Sequence, residues 1–251
     1  HLGCSAIQVL YVKYAASVPD DYLEAMLALP EDRFRFCGLQ KIESGESIEG
    51  YFRLSRQYSS LDGLERLDEM LEQKRADFFQ AMRFTAGHLF FREVLVSRQK
   101  GQPLLLIEDG GYLAPWLNRF CLEGKTLRET LQYFGLLARP SECDDRQASI
   151  EDSADIENLP DESELEQPLG QWLSQFFPGS IEHTRNGYDY LSDVVRDYGR
   201  LAFPACSIAV SQLKRGREAE EVATSILHAV ESILHGQGRI LSVRRALVLG
   251  S

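Results

Sequence analysis

The fold of this chain is decided by residues 103–115, which have the sequence Pro-Leu-Leu-Leu-Ile-Glu-Asp-Gly-Gly-Tyr-Leu-Ala-Pro. Residues 104–107 are apolar without polar alternation, and this pattern predicts a strand buried on both faces, as at the centre of a parallel α/β sheet. Glu108 and Asp109 fall where the strand ends. Gly110 and Gly111 then allow backbone conformations that other residues avoid. The stretch therefore predicts an α/β fold.

The turn after this strand has two interpretations. Ligands bind at the carboxyl ends of strands in an open α/β sheet, so a carboxylate at Asp109 followed by two glycines is a candidate binding site. The same residues also suit a plain turn in which a solvated aspartate caps a helix that begins within residues 112–117. The stretch alone leaves both interpretations open.

Composition and length exclude several classes of protein. The 251 residues can bury a sizeable core. No stretch approaches the roughly 18 to 20 apolar residues that span a bilayer, and the N-terminus lacks a secretory signal, so we expect a soluble protein without a membrane partner. The five cysteines are scattered and lack CxxC spacing, which argues against disulfides and a zinc site. We expect a cytoplasmic protein and no metal.

The charge of the chain is concentrated in one segment. Between residues 141 and 167, eleven acidic residues oppose a single basic residue, Arg146. Because such a segment buries too little apolar surface to offset the entropy of ordering it, we predict a mobile surface insertion. An acidic arm that contacts a partner is the alternative. Neither this segment nor the remainder has a basic stripe, which argues against nucleic-acid binding.

Hydrophobic periodicity places the other elements. Before the central strand it predicts strands at residues 6–12, 33–39 and 51–58, and helices at 20–29, 60–83 and 85–98. After that strand it predicts helices at 111–121, 126–137 and 188–198, a short amphipathic segment at 169–177, a polar loop at 178–187, a buried strand at 201–210, a long amphipathic helix at 217–235 and a strand at 243–251. We therefore predict a Rossmann-like layered α/β domain, with a mainly parallel sheet flanked by helices, over residues 1–240.

Several motifs in the second half of the chain follow one another in a recognisable order. A strand ending in Asp-Gly-Gly at residues 109–111 precedes Gly-x-x-Glu-x-Thr-x-x-Gly at residues 179–187. A Pro-Ala strand, a lysine, a long helix and a strand ending in Val-Leu-Gly then follow. This order resembles the S-adenosylhomocysteine hydrolase family over residues 101–251, with the acidic segment as an interruption.

The resemblance implies a domain organisation and two small-molecule ligands. Members of the family bind the nucleoside in a first α/β domain and NAD in a Rossmann domain whose first strand follows a long connecting helix. Residues 1–240 would then be the substrate-type domain, and residues 241–251 would be the first strand of a truncated NAD-binding domain. NAD binding is expected of the full-length protein and not of this fragment alone.

The resemblance also implies candidate site residues. In the family, NAD withdraws a hydride from the ribose 3′ carbon, homocysteine is eliminated, water adds and the hydride returns, with a carboxylate and a lysine on the ribose side. By position, Asp109 matches that carboxylate and Lys214 that lysine. His183 and Glu218 stand where the family has a glutamate and an aspartate near the substrate. The implied cofactor-side residues are Thr184, Asn186 and Gly250.

The departures from the family decide which function we expect. His183 replaces a substrate-contacting glutamate and Ala219 replaces an asparagine, so we expect a divergent relative, or pseudoenzyme, that binds NAD and a nucleoside-like ligand with weak or lost hydrolase activity. One alternative is an active NAD-dependent enzyme on a related nucleoside or thioether. Another is a non-enzymatic sensor or interaction module, with a homo-oligomer or a protein partner. Without the resemblance, we would interpret Lys214 as a solvated charge. Glu218 would be a carboxylate that stabilises the start of a helix.

Overall fold

Two three-stranded sheets organise the described part of the chain. The computed structural model describes residues 6–13, 20–30, 33–44, 47–55, 63–137, 159–242, 244–245 and 247. In chain order the elements are β1 (Ile7–Lys13), α1 (Asp20–Leu27), β2 (Phe34–Ser44), β3 (Ser47–Ser55), α2 (Glu65–Gln73), α3 (Phe78–Gln99), β4 (Leu105–Glu108), α4 (Ala114–Leu122), α5 (Leu127–Tyr133), α6 (Glu162–Leu165), α7 (Leu169–Leu173), β5 (Gly179–Glu182), α8 (Arg185–Tyr198), β6 (Ala205–Ser207) and α9 (Ala219–Gly236). The sheets have the orders β1-β2-β3 and β4-β5-β6.

The second sheet is parallel, as the sequence predicts. Its register sets Glu108 opposite Glu182 and Glu182 opposite Ser207, so the carboxyl ends of the three strands form one row. The helices that follow β4 and β5, α4 and α8, pack against each other. The chain is thus a mixed α/β protein with parallel strands flanked by helices, and the predicted Rossmann-like layered fold is confirmed.

The first sheet is mixed. β1 pairs with β2 in parallel, and β3 pairs with β2 in antiparallel orientation. The strand predicted at residues 51–58 is confirmed over residues 51–55, and residues 56–58 lie outside the described residues. Asp68 on α2 accepts hydrogen bonds from the backbone N–H of Leu54 (3.1 Å) and from the guanidinium of Arg53 (2.6 Å). This partly buried ion pair therefore fastens α2 to the sheet.

The core lies around α3. The predicted helical run over residues 60–83 is interrupted, because Asp77 and Gln80 form a capping box that starts α3 at Phe78. A second capping box, formed by Thr126 and Glu129, starts α5. The largest fully buried side chains of the described residues are Trp172, Phe91, Phe134, Leu39, Leu54, Leu67, Leu71, Leu95, Leu113, Leu117, Leu127 and Leu131.

The prediction that β4 is buried on both faces is wrong. Leu106 packs against the core, whereas Leu105 and Ile107 are 49% and 68% exposed. Successive side chains of a strand point to opposite faces of the sheet, and nothing among the described residues covers the outer one. An unbroken apolar run locates the strand but does not report which faces a neighbour covers.

The end of the chain also differs from the predictions. The polar loop expected at residues 178–187 is the strand β5 followed by the first turn of α8. The buried strand expected at 201–210 is the shorter strand β6, which begins after Pro204 because proline lacks a backbone donor. Cys206 in this strand is exposed and not buried as expected. Most of the strand expected at 243–251 lies outside the described residues. Leu247, which is described, is 83% exposed and not in a strand.

The acidic segment is ordered in its last part, contrary to the prediction for residues 141–167. α6 begins at the capping residue Asp161, and Leu165 is 1% exposed in the core. Arg98 pairs with Glu164, and Arg128 pairs with Glu162 and Glu166. Arginines from distant helices and one buried leucine thus order residues that composition alone marks as mobile. Residues 141–158 lie outside the described residues.

The long helix α9 is the least buried element of the described structure. It follows a π-helical turn over Lys214–Glu218, and none of its residues is buried. Its apolar face exposes Val222 (50%), Ile226 (58%), Leu227 (53%), Val230 (38%) and Ile233 (62%). Among the described helices, neither α9 nor any other is long and apolar enough to cross a membrane.

Candidate functional site

In the turn that follows β4, the carboxylates of Glu108 and Asp109 have different roles. Gly110 and Gly111 have φ values of 133° and 67°, which fold the chain back at the strand end. The buried carboxylate of Glu108 accepts hydrogen bonds from the backbone N–H groups of Leu113 (2.6 Å) and Ala114 (2.8 Å) at the start of α4. Because Glu108 serves that helix start, Asp109 is not its cap.

The turn that follows β5 lies directly against the first turn. Thr184 is the N-cap of α8, and its hydroxyl accepts a hydrogen bond from the backbone N–H of Gly187 (3.1 Å). A Cβ atom on Gly111 would lie 2.5 Å from the Cα atom of Gly187. The two glycines therefore permit a close approach of the two turns, and this approach brings Asp109 next to His183.

Four candidate residues from three segments of the chain meet at this edge. Asp109 Oδ1 and His183 Nδ1 are 3.4 Å apart. Lys214 Nζ donates to the carbonyl oxygen of His183 (2.5 Å) and lies 3.7 Å from Glu218 Oε1. The four candidate catalytic residues Asp109, His183, Lys214 and Glu218 thus form one cluster. We call this cluster the edge cluster.

The edge cluster is open to solvent and incompletely bonded. The side chains of Asp109 and His183 are 75% and 44% exposed. Their separation of 3.4 Å exceeds that of a strong hydrogen bond. Lys214 Nζ is nearly equidistant from the two ring nitrogens of His183, at 3.2 and 3.3 Å, so it does not lie on the lone pair of either one. The polar atoms of Asp109 and His183 therefore retain capacity for a ligand.

The three candidate cofactor-side residues are in different situations. The hydroxyl of Thr184 is occupied, because it donates to Glu182 Oε1 (2.8 Å) and accepts from Gly187. Asn186 is exposed in the first turn of α8. Gly250 lies outside the described residues. The structure therefore brings Thr184 next to His183 of the edge cluster but shows no contact of Asn186 with the cluster and does not place Gly250.

Sequence reasoning missed two buried glutamates beneath the edge cluster. Glu182 is fully buried, and Glu108 is 8% exposed. Burial, assisted by the neighbouring charge of Glu182, raises the pKa of Glu108 to about 7, although the N–H groups at the start of α4 lower it in part. One pattern in the sequence could have revealed the pair: each glutamate directly follows a short run that ends in isoleucine.

The described residues do not offer a metal centre. Within them, no group of three or more His, Cys, Asp or Glu side chains is arranged to hold a metal ion. The chemistry available at the edge cluster is therefore that of two carboxylates, one imidazole and one ammonium group. These groups can donate and accept hydrogen bonds and can exchange protons with a bound ligand.

Comparisons with known proteins do not assign the chain to a family: no protein-family model, no curated protein and no solved structure matches it. The fold and the edge cluster nevertheless define a class. This is an α/β protein whose candidate ligand site lies at the carboxyl ends of parallel strands, where open α/β sheets bind their ligands.

Proposed function

We propose that the edge cluster binds a nucleoside-like ligand and that Asp109, His183 and Lys214 contact its ribose hydroxyl groups. The observation that carries the proposal is the meeting of these residues, from three segments of the chain, at the carboxyl ends of β4 and β5. The class of protein whose motifs the chain resembles supports the choice of a nucleoside.

The charges of the edge cluster favour a neutral polyol over an anion. Asp109 and Glu218 are carboxylates, and Lys214 is the only lysine or arginine among the four residues. A phosphate group would meet both carboxylates at short range, which is unfavourable. Ribose hydroxyls, in contrast, donate to a carboxylate and accept from an ammonium group or an imidazole N–H, so the mixed set suits a diol.

We further propose that the full-length protein binds NAD and that hydrolysis of S-adenosylhomocysteine is weak or lost. NAD, when bound, would accept a hydride from the ribose 3′ carbon. The chain's own residues would then hold the sugar: Asp109 and Lys214 can orient its hydroxyls and exchange protons with them. Ala219 offers no side-chain hydrogen bond at a position where the family has asparagine, which favours a low rate. Turnover of a related nucleoside or thioether is the open alternative.

Two substitutions test the ligand proposal. Asp109→Asn removes the charge of the acceptor, and Lys214→Met removes the ammonium group. Because a hydrogen bond to a charged group contributes about 1.5–3 kcal/mol, each change is expected to weaken adenosine binding at least about tenfold. Isothermal titration calorimetry measures the affinity, and homocysteine release from S-adenosylhomocysteine measures activity of the full-length protein.

Asp193→Asn, which removes an exposed carboxylate paired with Arg196 on α8, is the matched control and should bind like the wild type. Equal affinity of all four proteins would contradict the proposal.

A second candidate function is that of a protein-interaction module, and the exposed apolar face of α9 favours it. Single exposed apolar residues are common, but a continuous apolar helix face is typical of an interaction surface. We expect sedimentation velocity to show self-association that rises with protein concentration. Ile226→Glu should abolish it, whereas Thr224→Glu, on the opposite face of α9, should not. A wild-type protein that is monomeric at every concentration would remove self-association through α9 as a function.

A cytoplasmic location is part of the proposal. The three described cysteines, Cys37, Cys121 and Cys206, are free thiols, as a reducing compartment would keep them. Fractionation of cells that express the full-length protein would test the location.

A further inference from the structure

One carboxylate oxygen joins the two turns that carry the edge cluster. Glu182 Oε1 accepts hydrogen bonds from the backbone N–H of Gly110 (3.2 Å), the backbone N–H of Thr184 (2.7 Å) and the hydroxyl of Thr184 (2.8 Å). Gly110 directly follows Asp109 in the chain, and Thr184 directly follows His183. The position of Asp109 relative to His183 is therefore set through Glu182.

We propose that Glu182 is a positioning residue, which holds the two turns so that Asp109 and His183 present their polar atoms to adjacent hydroxyl groups of one ligand. The holding of the two turns is inferred from the hydrogen bonds of Glu182 alone. The role in selecting a ligand with adjacent hydroxyls rests on the function proposed above.

The packing around Glu182 leaves its carboxylate no alternative position. A Cβ atom on Gly187 would lie 2.0 Å from both the carboxyl carbon and Oε2 of Glu182, so the first turn of α8 rests directly on the carboxylate. Gly111 in turn rests on Gly187. A buried side chain enclosed in this way cannot change rotamer without moving a turn.

This packing explains the spacing of the motif at residues 179–187. The glutamate supplies the acceptor, the threonine two positions later supplies a donor and the helix cap, and Gly187 supplies the contact surface. Gly179 has a φ of 140°, and a Cβ atom there would lie 2.2 Å from the carbonyl oxygen of Pro204. The motif thus specifies a pair of closely packed turns, in which no part of Glu182 reaches the solvent.

The second carboxylate oxygen of Glu182 is unusual for a buried polar atom. Glu182 Oε2 is buried and has no hydrogen-bond partner. Buried polar atoms are usually hydrogen-bonded, so an unbonded carboxylate oxygen in a core is unusual. The three hydrogen bonds that Oε1 accepts from the two turns explain why a carboxylate occupies this buried position.

The first test is independent of any ligand. Glu182→Asp withdraws the carboxylate by one methylene group, whereas Glu182→Gln keeps an oxygen at the position of Oε1. Amide hydrogen exchange measured by NMR should show protection of Gly110 and Thr184 falling at least about tenfold in the Asp variant, since loss of a hydrogen bond to a charged carboxylate corresponds to about that factor or more. The Gln variant should keep most of the protection. The amides of Leu113 and Ala114, which are bonded to Glu108, are internal references and should not change.

The second test measures ligand selection. The ratio of the affinities for adenosine and for 3′-deoxyadenosine should fall towards one in Glu182→Asp and stay within about threefold of the wild-type ratio in Glu182→Gln, because only the former displaces Asp109 from His183. A merely structural residue would change the melting temperature without changing this ratio. Unchanged exchange at Gly110 and Thr184 in the Asp variant would overturn the positioning role. Failure of wild-type protein to bind adenosine would overturn the proposed function instead, and the exchange data would still decide the role of Glu182.

Discussion

Gly187→Ala is expected to lower the free energy of unfolding by about 3–5 kcal/mol. The new Cβ atom would lie 2.0 Å from the carboxyl group of Glu182, which is fully buried. Overpacking of this kind costs about 1–3 kcal/mol, and displacement of Glu182 also sacrifices its hydrogen bonds, at about 0.5–1.5 kcal/mol each. Urea denaturation of both proteins measures the difference.

A second glycine serves as the control for this substitution. Gly216 also has helical backbone conformation, but a Cβ atom there meets nothing within 4 Å. Gly216→Ala should leave stability unchanged or raise it by up to about 1 kcal/mol. Glu182→Ala introduced together with Gly187→Ala should restore part of the loss, because the clash is removed. Equal stability of the Gly187 and Gly216 variants would show that the turns are not packed as described.

The stability of the protein should decline as the pH rises from about 4.5 to about 7, through Glu108. Burial raises the pKa of Glu108 from 4.5 to about 7 in the folded state. Between these values the folded chain binds more protons than the unfolded chain, so the folded state loses stability with rising pH. The full shift corresponds to about 3 kcal/mol. Denaturation at a series of pH values should reveal this decline.

Glu108→Gln isolates the contribution of this one group. The variant cannot ionise, so its stability relative to the wild type should improve steadily across that pH range. Glutamine keeps one of the two acceptor oxygens that Leu113 and Ala114 use, and the resulting loss is the same at every pH. Glu123→Gln, which removes an exposed carboxylate, should follow the wild-type profile. Parallel profiles for wild type and Glu108→Gln would contradict the prediction.

The sequence predicted those features that depend on local patterns. The apolar run at residues 104–107 and the Glu-Asp-Gly-Gly sequence that follows locate β4 and its end within one residue. The meeting of Asp109 with His183 depends on the parallel pairing of β4 with β5, and the sequence analysis expected a polar loop in place of β5. The proximity of Lys214 came from the resemblance of the motifs and not from any pattern of its own.

Other features depend on contacts between distant segments and were missed for that reason. Composition predicted that residues 159–167 are mobile. The arginines that neutralise this segment, Arg98 and Arg128, come from α3 and α5, so the composition of the segment itself does not reveal them. Glu108 and Glu182 were not expected to be buried, since glutamate is rarely found in a protein interior. Likewise, the exposure of Ile107 depends on which elements cover the sheet, and the apolar run does not report that.

The measurement that tests the central claim most directly is the affinity of the unmodified protein for adenosine and for 3′-deoxyadenosine, determined by calorimetry in the same buffer. If the edge cluster recognises ribose hydroxyls, adenosine binds at least about tenfold more tightly, because the deoxy ligand lacks a hydroxyl that hydrogen-bonds to the charged groups of Asp109 and Lys214. Asp109→Asn should reduce this preference. Equal affinity for the two ligands, or no binding of either, would contradict the assignment of this edge as a nucleoside site.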